Sequence, residues 1–271
     1  MSALKSRIKN TRAYAELYRI REEFRWRRKT PQVTPFGFKL VSEKFMNFYE
    51  LEEDERVILQ KYLHSTDLFI DIGANVGFYS CLAASVGVPT VCFEPVVQNL
   101  RTLYRNLRLN NVKECEVWPI GLSDRPGLLE LYGANTGASL VRGWAGLHAE
   151  AWAQVIPVNT LDNVLGTRFD NKRMLVKIDV EGAEYGVLQG ARRLIAGIPQ
   201  KPIWLIEVSR RQHRPEPNPH FADTFKLFWE HGYEVRTANG EFRKIELSDV
   251  EQWMKPGAEE PQTHNWCFLP P

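Results

Sequence analysis

The chain of 271 residues is 44% hydrophobic and 25% charged, which suits one large α/β domain or two small ones of ordinary globular composition. Its formal net charge is only +2, but residues 1–30 hold ten Lys or Arg against three Glu, so the rest of the chain is mildly acidic. An acidic body argues against a broad nucleic-acid-binding surface, and we expect no nucleic-acid partner.

The cysteines and the start of the chain indicate the compartment. The four cysteines have no CxxC spacing and fall in predicted helices or strands, which indicates buried thiols in a reducing compartment: Cys81, Cys92, Cys115 and Cys267. The first thirty residues lack the apolar core of a signal peptide, and no apolar run is long enough to span a membrane. We therefore expect a cytoplasmic protein.

Residues 1–30 have the pattern of a basic amphipathic helix, with positive charges largely between apolar residues at roughly helical spacing. The simpler interpretation is a surface helix that packs on its own domain. The alternative is peripheral contact with an anionic membrane or with a partner. Pro31 and Pro35 then interrupt the pattern. We divide the chain into an N-terminal basic helical extension, residues 1–50, and one main domain, residues 51–271.

The main domain alternates between helical and strand patterns. A first helix begins in the acidic segment Tyr49–Arg56 and offers four side chains for burial: Val57, Leu59, Tyr62 and Leu63. The predicted strands are Leu68–Ile72, Thr90–Glu94, Glu116–Ile120, Leu175–Asp179 and Ile203–Val208. Three later helices carry apolar stripes within Leu100–Leu107, Val187–Ile195 and Phe221–Phe228, and Gly232 ends the last of them.

Strands that alternate with helices must pair in parallel, because each crossover returns the chain to the same end of the sheet. The predicted fold class is therefore α/β, with a doubly wound, mostly parallel sheet and helices on both faces. In such a sheet, ligands bind beyond the carboxyl ends of the strands, where the strand order reverses.

The segment IDIGANVG lies at that edge, because it ends the first predicted strand. Gly73 and Gly77 lack the Cβ atom that would exclude a ligand, and the next helix presents free N–H groups. Glu94 ends the second strand, and its two carboxylate oxygens can accept both hydroxyl protons of a ribose. The pattern therefore indicates a pocket for a nucleoside.

The bound nucleoside is not expected to be a dinucleotide. When the G-x-G-x-x-G fingerprint is aligned on Gly73, its second and third glycine positions hold Asn75 and Phe78, so the backbone cannot approach a pyrophosphate. Asp71 would repel phosphate, whereas it suits the ammonium of an amino acid. S-adenosylmethionine has adenosine, a sulfonium and an amino-acid tail, and it fits this description. The alternative is a tight glycine turn without a ligand.

The chain resembles the FkbM-type S-adenosylmethionine-dependent methyltransferases from about Phe36 to Pro270. The residues that carry the resemblance are DIGANVG (Asp71–Gly77), FEP (Phe93–Pro95), Asn99, Asn106, Asn110, LSD (Leu122–Asp124), TGASL (Thr136–Leu140), TLD (Thr160–Asp162), KIDVEGAE (Lys177–Glu184), Asn265 and Pro270. The glycine turn is shared with many methyltransferases, and the KIDVEGAE segment in combination with the rest is more specific.

The resemblance implies a class I methyltransferase fold, in which a last antiparallel strand, here NWCFLP (Asn265–Pro270), joins the sheet. It also implies that adenine lies near Leu122 and Ser123, and that the activity is O-methylation, often of sugar hydroxyls on glycolipids, polysaccharides or natural products. The product would be S-adenosylhomocysteine. The predicted cofactor-binding residues are Asp71, Gly73, Ala74, Asn75, Gly77, Glu94, Pro95, Leu122, Ser123 and Asp179.

Methyl transfer requires a nucleophile in line with the activated methyl carbon, and a sugar hydroxyl is a poor nucleophile that a nearby base helps. The candidate catalytic residues are Asp179 and Glu207, at the ends of the fourth and fifth strands, and His213 in the following loop. We expect His213 to be the proton acceptor, because its loop borders the predicted site. Each has a structural alternative: Asp179 can orient the cofactor, Glu207 can bind the arginines of SRRQHR, and a loop histidine can simply be solvated.

Other readings of the same edge are weaker. For Glu181 and Glu184 we expect helix capping or a structural ion pair. Asp179 with Glu207 can alternatively hold Mg²⁺, but two carboxylates are weak support for a metal, and we predict none. Methylation of a base amine is disfavoured by the resemblance, because DVEG stands where an Asn- or Asp-Pro-Pro-aromatic segment is usual.

Two segments are predicted to contact the substrate. Gly133–Trp144, with Trp152 beyond it, offers Arg142 and tryptophan rings for an acidic group and a sugar face. The segment Arg214–His220 is stiffened by three prolines. Long loops at the carboxyl edge of a sheet are where function concentrates.

Three functions remain open from the sequence. The first is O-methylation of a glycan or glycolipid hydroxyl. The second is a non-catalytic adenosine-binding module, against which the intact set of Asp71, Gly73, Glu94 and Asp179 argues. The third is a macromolecular methyltransferase that docks through its basic extension.

Overall fold

A computed structural model describes residues 28–42, 48, 53–133, 137–144, 153–211 and 217–271. The basic extension up to residue 27 lies outside the described residues, and membrane contact through it stays a prediction. Residues 28–42 lie against the main domain, where Phe38 and Leu40 are buried. No helix in the described part of the chain has the length and apolar character needed to cross a membrane.

The strands and helices of the described residues follow the predicted alternation. In chain order the strands are β1 (Gln32–Val33), β2 (Lys39–Leu40), β3 (Leu68–Ile72), β4 (Thr90–Phe93), β5 (Cys115–Trp118), β6 (Gly121–Leu122), β7 (Gly127–Leu131), β8 (Gln154–Asn159), β9 (Met174–Ile178), β10 (Ile203–Glu207), β11 (Glu234–Thr237), β12 (Lys244–Ile245) and β13 (Asn265–Leu269). The helices are α1 (Glu53–Leu63), α2 (Phe78–Ser85), α3 (Val97–Leu109), α4 (Leu161–Leu165), α5 (Glu184–Gln189), α6 (Arg192–Ala196), α7 (Phe221–Trp229) and α8 (Leu247–Trp253).

The main sheet of the described chain has eight strands in the order β12-β11-β13-β10-β9-β3-β4-β5. The five predicted strands, β3, β4, β5, β9 and β10, pair in parallel with their neighbours. β13 runs antiparallel between β10 and β11. The α/β class, the mostly parallel sheet and the antiparallel C-terminal strand are therefore confirmed, and the arrangement is that of a class I methyltransferase.

Two apolar layers cover the two faces of this sheet because its parallel strands are buried on both sides. In one layer, helices α5, α6 and α7 pack against alternate residues of the strands, among them Ile70, Val176 and Ile206. The other packs α1, α2 and α3 against the intervening residues, among them Phe69, Leu175 and Leu205. The second layer lies over the face on which the charged side chains of the strand ends project.

The structure corrects three details of the predicted elements. Leu59 and Leu63 of α1 are buried as predicted, but Val57 is 52% exposed and its neighbour Ile58 is buried. The helix predicted within Val187–Ile195 is two short helices, α5 and α6. The predicted strand Glu116–Ile120 ends at Trp118, Pro119 and Ile120 belong to no strand, and β6 begins at Gly121.

A second sheet, of order β6-β8-β7, stands beside the main one within the described chain. β6 pairs in parallel with β8, and β7 pairs antiparallel with β8. β8 and β7 fall in the long connection between β5 and β9, where no strand was predicted. The four cysteines are free thiols; Cys81, Cys92 and Cys267 are buried and Cys115 is half-buried.

Candidate active site

The turn after β3 depends on two glycines in the left-handed region, Gly73 with φ +85° and Gly77 with φ +84°. A Cβ at Gly73 would collide with the carbonyl oxygen of Asp179, and one at Gly77 would collide with the side chain of Leu103. From the sequence, both glycines are expected to admit a ligand. The structure shows that the protein's own atoms take that space, so the two glycines bring β9 and α3 up against the turn.

Glu94 connects the turn after β3 to the segment between β4 and α3. Its carboxylate accepts hydrogen bonds from the backbone N–H of Asn75 at 2.8 Å, the backbone N–H of Val96 at 2.7 Å and the amide of Asn99 at 3.3 Å. It is only 4% exposed, and burial raises the pKa of Glu94 to about 7 against the effect of these donors. A carboxylate has about four acceptor positions, so one remains on the oxygen that Asn75 contacts.

The side chain of Asn75 indicates that a ligand binds at this turn. Asn75 has φ +51°, and its side-chain oxygen is buried without a hydrogen-bond partner among the described residues. Buried polar atoms are nearly always hydrogen-bonded, so this oxygen calls for a donor from outside the chain. Together with the open acceptor position on Glu94, it fits a group that carries hydroxyls or an amine, as the ribose and amino acid of S-adenosylmethionine do.

Asp71 lies deeper than its predicted role suggests. It is 1% exposed within β3 and accepts a hydrogen bond of 2.6 Å from the hydroxyl of Ser80 on α2. Burial raises the pKa of Asp71 to about 6, although the Ser80 hydroxyl and the charge of Lys177 oppose the rise. Its contact with the ammonium of the cofactor stays a prediction.

The predicted adenine contacts lie on β6 and just beyond it. Leu122 is buried, and Ser123 donates its backbone N–H to the carbonyl of Asn159 at 2.9 Å. A Cβ at Gly190 would collide with the carbonyl oxygen of Ser123, so the segment after β6 packs directly on the end of α5. Because α5 follows the loop after β9, these residues border the same edge of the sheet as Asp179.

The carboxyl ends of β9 and β10 bring two predicted catalytic residues together. Ile178 pairs with Ile206, so Asp179 and Glu207 occupy the next positions of neighbouring strands. Lys177 donates a hydrogen bond of 2.9 Å to Asp179, whose side chain is 25% exposed. Burial, reinforced by the charge of Asp179, raises the pKa of Glu207 to about 9, and Lys177 acts in the opposite direction. Near neutral pH, Glu207 is therefore a proton-carrying acid beside an ion pair.

The structural alternatives for these acids are resolved in part. Of the SRRQHR arginines expected to bind Glu207 in that alternative, Arg210 forms an ion pair with Glu260 at 2.8 Å and Arg211 lies 3.5 Å from the same carboxylate, whereas Arg214 lies outside the described residues. Glu184, the first residue of α5, accepts the backbone N–H of Gly182 at 2.7 Å in the loop before the helix, which is a different contact from the helix capping expected for it. Burial raises the pKa of Glu184 to about 7.

The first predicted substrate segment covers the loop after β9. Ser139 donates its hydroxyl to the carbonyl of Glu181 at 2.5 Å, and the indole N–H of Trp144 donates to the Glu181 carboxylate at 2.7 Å. The ring of Trp144 packs on Gly182 and is 6% exposed. Trp144 therefore holds the loop closed and does not offer an open face to a sugar; Trp152 lies outside the described residues.

The second predicted substrate segment is described only from residue 217. His213, the predicted proton acceptor, lies outside the described residues together with the rest of 212–216. At the end of the segment, the ring of His220 stacks on Tyr185 of α5, with ring centroids 4.4 Å apart. His220 therefore packs on the helix that follows Asp179 along the chain.

Sequence reasoning assigned no role to Lys177, Glu55 or Ser80. Lys177 is 2% exposed and also lies 3.4 Å from Glu55, which α1 supplies. A lysine inside an otherwise apolar strand was the available signal for Lys177. The partner Glu55 carried no signal, because it stands among acidic residues at the start of a helix. No cluster of three or more His, Cys, Asp or Glu suited to a metal ion occurs in the described part of the chain.

Comparison with known proteins gives one family and a set of distant folds. A family model described as "Methyltransferase FkbM domain" matches residues 71–235, which is more than half of the chain and includes Asp71, Glu94, Asp179 and Glu207. No curated protein matches the chain.

Solved structures of methyltransferases are similar to the chain at low identity. A precorrin-6y C5,15-methyltransferase from Geobacter metallireducens shares 13% identity over 85% of this chain and 93% of that chain, with a TM-score of 0.43. A SAM-dependent methyltransferase from Agrobacterium tumefaciens shares 10% identity over 90% of this chain and 70% of that one, with a TM-score of 0.46. These scores lie below 0.5, and no conclusion about activity follows from them.

Proposed function

Because the chain belongs to the FkbM methyltransferase family and S-adenosylmethionine is its methyl donor, we propose that it O-methylates a hydroxyl of a sugar, a glycolipid or a related small molecule. The observation that carries the proposal is the pair of acids Asp179 and Glu207 on neighbouring strand ends, at the edge of the sheet where we expect the methyl donor to bind. A hydroxyl acceptor needs groups that orient its oxygen and take its proton, and this edge supplies both kinds.

The residues proposed to bind the methyl donor include Asn75 and Glu94, which have unfilled hydrogen-bond acceptor positions within the described chain. Glu94 and Asn75 would hold the ribose or amine groups, and Leu122 and Ser123 would border the adenine. When bound, S-adenosylmethionine supplies a methyl carbon that its sulfonium activates. The work left to the chain is to bind the acceptor in line, exclude water and move one proton.

The acids and the loop histidine divide this work in our proposal. Glu207 carries a proton near neutral pH, so it donates a hydrogen bond to the acceptor oxygen and fixes its direction. Asp179, in its ion pair with Lys177, lines the methyl position. His213 takes the proton of the hydroxyl as the new carbon–oxygen bond forms.

The test is incubation of the protein with isotope-labelled methyl donor and extracts of the source cell, followed by mass spectrometry of the labelled products. We expect the label in a base-stable ether on a glycan or glycolipid, and a panel of purified glycolipids then identifies the hydroxyl. Label on protein, RNA or an amine contradicts the proposal. Binding of S-adenosylhomocysteine without any transfer favours the non-catalytic adenosine-binding module.

The proton acceptor is tested with His213→Ala. We expect turnover to fall about 100-fold, the size of a lost general base, with S-adenosylhomocysteine affinity unchanged in calorimetry. His231→Ala is the matched control, because His231 lies at the end of α7 and its carbonyl binds Lys201. Unchanged turnover in His213→Ala would show that His213 is not the proton acceptor, and Asp179 would then be assigned that role.

A further inference from the structure

Lys177 is a charged side chain in the middle of the main sheet. β9 is buried along its whole length, and Lys177 is 2% exposed within it. Its neighbours across the sheet are Asp71 on β3 and Leu205 on β10. A lysine ammonium in such a place destabilises the fold unless charges compensate it, so its partners define what it does.

Among the described residues, the side chains near the ammonium include Asp179 just after β9, Glu55 of α1 and Tyr79 of α2. The ammonium lies 2.9 Å from a carboxylate oxygen of Asp179, 3.4 Å from one of Glu55, and 4.8 Å from the centroid of the Tyr79 ring. The Tyr79 hydroxyl in turn donates to the second oxygen of Glu55 at 3.4 Å. Glu55 is itself 2% exposed, so this part of the cluster is sealed, and Asp179 is the member that reaches the surface of the site.

We propose that Lys177 is a positioning residue for methyl transfer: anchored by Glu55 of α1, its ammonium holds the Asp179 carboxylate in one orientation at the acceptor edge of the sheet. The inference rests on the proposed function, because it gives Asp179 its place beside the methyl group. It adds a role for α1, which is tied through Glu55 to the strand that carries the site.

Orientation matters here because in-line displacement tolerates little misplacement, and an error of about 1 Å lowers a rate about 100-fold. A free Asp179 side chain at 25% exposure would sample several rotamers. Lys177 removes that freedom without contacting the acceptor itself. The same ammonium separates Asp179 from Glu55, two carboxylates that would otherwise face each other.

The activity test uses Lys177→Met, which keeps the length of the side chain and removes its charge. We expect methyl transfer at saturating donor to fall about 100-fold, while the affinity for S-adenosylhomocysteine stays within about threefold. Lys201→Met is the matched control, because Lys201 also donates one hydrogen bond, to the His231 carbonyl, and lies near the ring of Tyr233. Wild-type turnover in Lys177→Met overturns the proposal.

Glu55→Gln decides the question if Lys177→Met does not fold. The glutamine keeps the shape of the anchor and loses its charge, so the ion pair between Lys177 and α1 is lost. We expect about a tenfold loss of transfer with donor affinity retained, the size of a lost supporting contact. Unchanged transfer in a folded Glu55→Gln protein overturns the anchoring role.

A titration without any ligand separates this inference from the proposed function. The charged groups that face Glu207 are Asp179 and Lys177 of β9, Glu55 of α1 and Glu181 of the loop after β9. Carbon-13 NMR of the Glu207 carboxyl should give a pKa near 9 in the wild type, a higher value in Lys177→Met and a lower value in Glu55→Gln. An unchanged pKa in both variants refutes the cluster. If the wild type transfers no methyl, the proposed function fails and this titration still decides about Lys177.

Discussion

At the scale of single residues, Gly73 lies so close to Asp179 that only glycine fits at this position. Its φ of +85° already disfavours a side chain, and a Cβ would collide with the Asp179 carbonyl. Gly87 shares the first property, with φ +79°, but has no atom within 4 Å of a built Cβ. Comparing alanine substitutions at Gly73 and Gly87 therefore separates the cost of backbone strain from the cost of the Cβ collision.

We expect Gly87→Ala to lower the free energy of unfolding by about 1–2 kcal/mol, the strain of a left-handed residue. Gly73→Ala should lower it by more than about 3 kcal/mol, because the turn or β9 must also move. Urea unfolding of both variants measures the difference. Equal losses would show that the Gly73 turn does not pack on Asp179 in solution.

Glu94 combines a structural and a binding role. Glu94→Ala removes the acceptor of the Asn75 and Val96 N–H groups as well as the predicted ribose ligand. We expect S-adenosylhomocysteine to bind about 100-fold more weakly, as for lost hydrogen bonds to a charged group. Calorimetry measures this, with Glu116→Ala as the control, because Glu116 is an ion-paired acid on β5 with a partly exposed side chain.

NAD is a negative control for binding to the same pocket. We expect it not to compete with S-adenosylhomocysteine, because the turn lacks the glycines that a pyrophosphate needs. Binding of NAD without binding of the methyl donor would contradict the interpretation of the DIGANVG segment.

At the scale of elements, one buried amide on α3 binds two other segments of the fold. Asn106 accepts the N–H of Val41 at 2.8 Å and donates to the carbonyls of Val41 at 2.9 Å and Val76 at 2.8 Å. It thus joins α3 to the segment after β2 and to the turn after β3. Three backbone groups depend on a side chain that is fully buried.

Asn106→Ala should lower the free energy of unfolding by about 3 kcal/mol, because it leaves buried backbone groups without partners. Asn163→Ala is the control, since Asn163 is exposed and its amide donates to Asn159. Thermal and urea unfolding report the two losses. A loss in Asn106→Ala no larger than in the control would mean that water replaces the amide.

The helices after β9 show why an apolar stripe does not determine a helix boundary. The spacing of Val187, Leu188, Leu194 and Ile195 suits one helix, and all four are buried. The chain nevertheless breaks at Gly190, which packs on the carbonyl of Ser123. The break depends on a segment far away in sequence, which no local pattern contains.

At the scale of the whole molecule, three buried carboxyl groups and the half-buried Glu207 all have raised pKa values. Burial raises the pKa values of Asp71 to about 6, of Glu94 and Glu184 to about 7, and of Glu207 to about 9. Each group binds its proton more tightly in the folded protein than in the unfolded chain. The stability they contribute is full below the unfolded values, near pH 4, and is lost as pH rises through the folded values.

We therefore expect the free energy of unfolding of the ligand-free protein to fall by more than about 1 kcal/mol between about pH 5.5 and 8.5. His264 opposes this trend near its lower end, because burial lowers its pKa. Urea unfolding across the range measures the slope, and Glu207→Gln should flatten it above about pH 7. Stability that rises with pH would contradict the burial of these groups.

The sequence by itself determined the five parallel strands, the turn after β3, the acid at the end of β4, the family and the methyl donor. These features depend on residues next to one another, because strand and helix periodicity and glycine turns are local. The tertiary structure alone decided the pairing of Lys177 with Glu55, the sheet formed by β6, β7 and β8, and the burial of Trp144 on Gly182. These contacts join residues distant in sequence, and they form only because the closed core compensates the entropy lost in bringing such segments together.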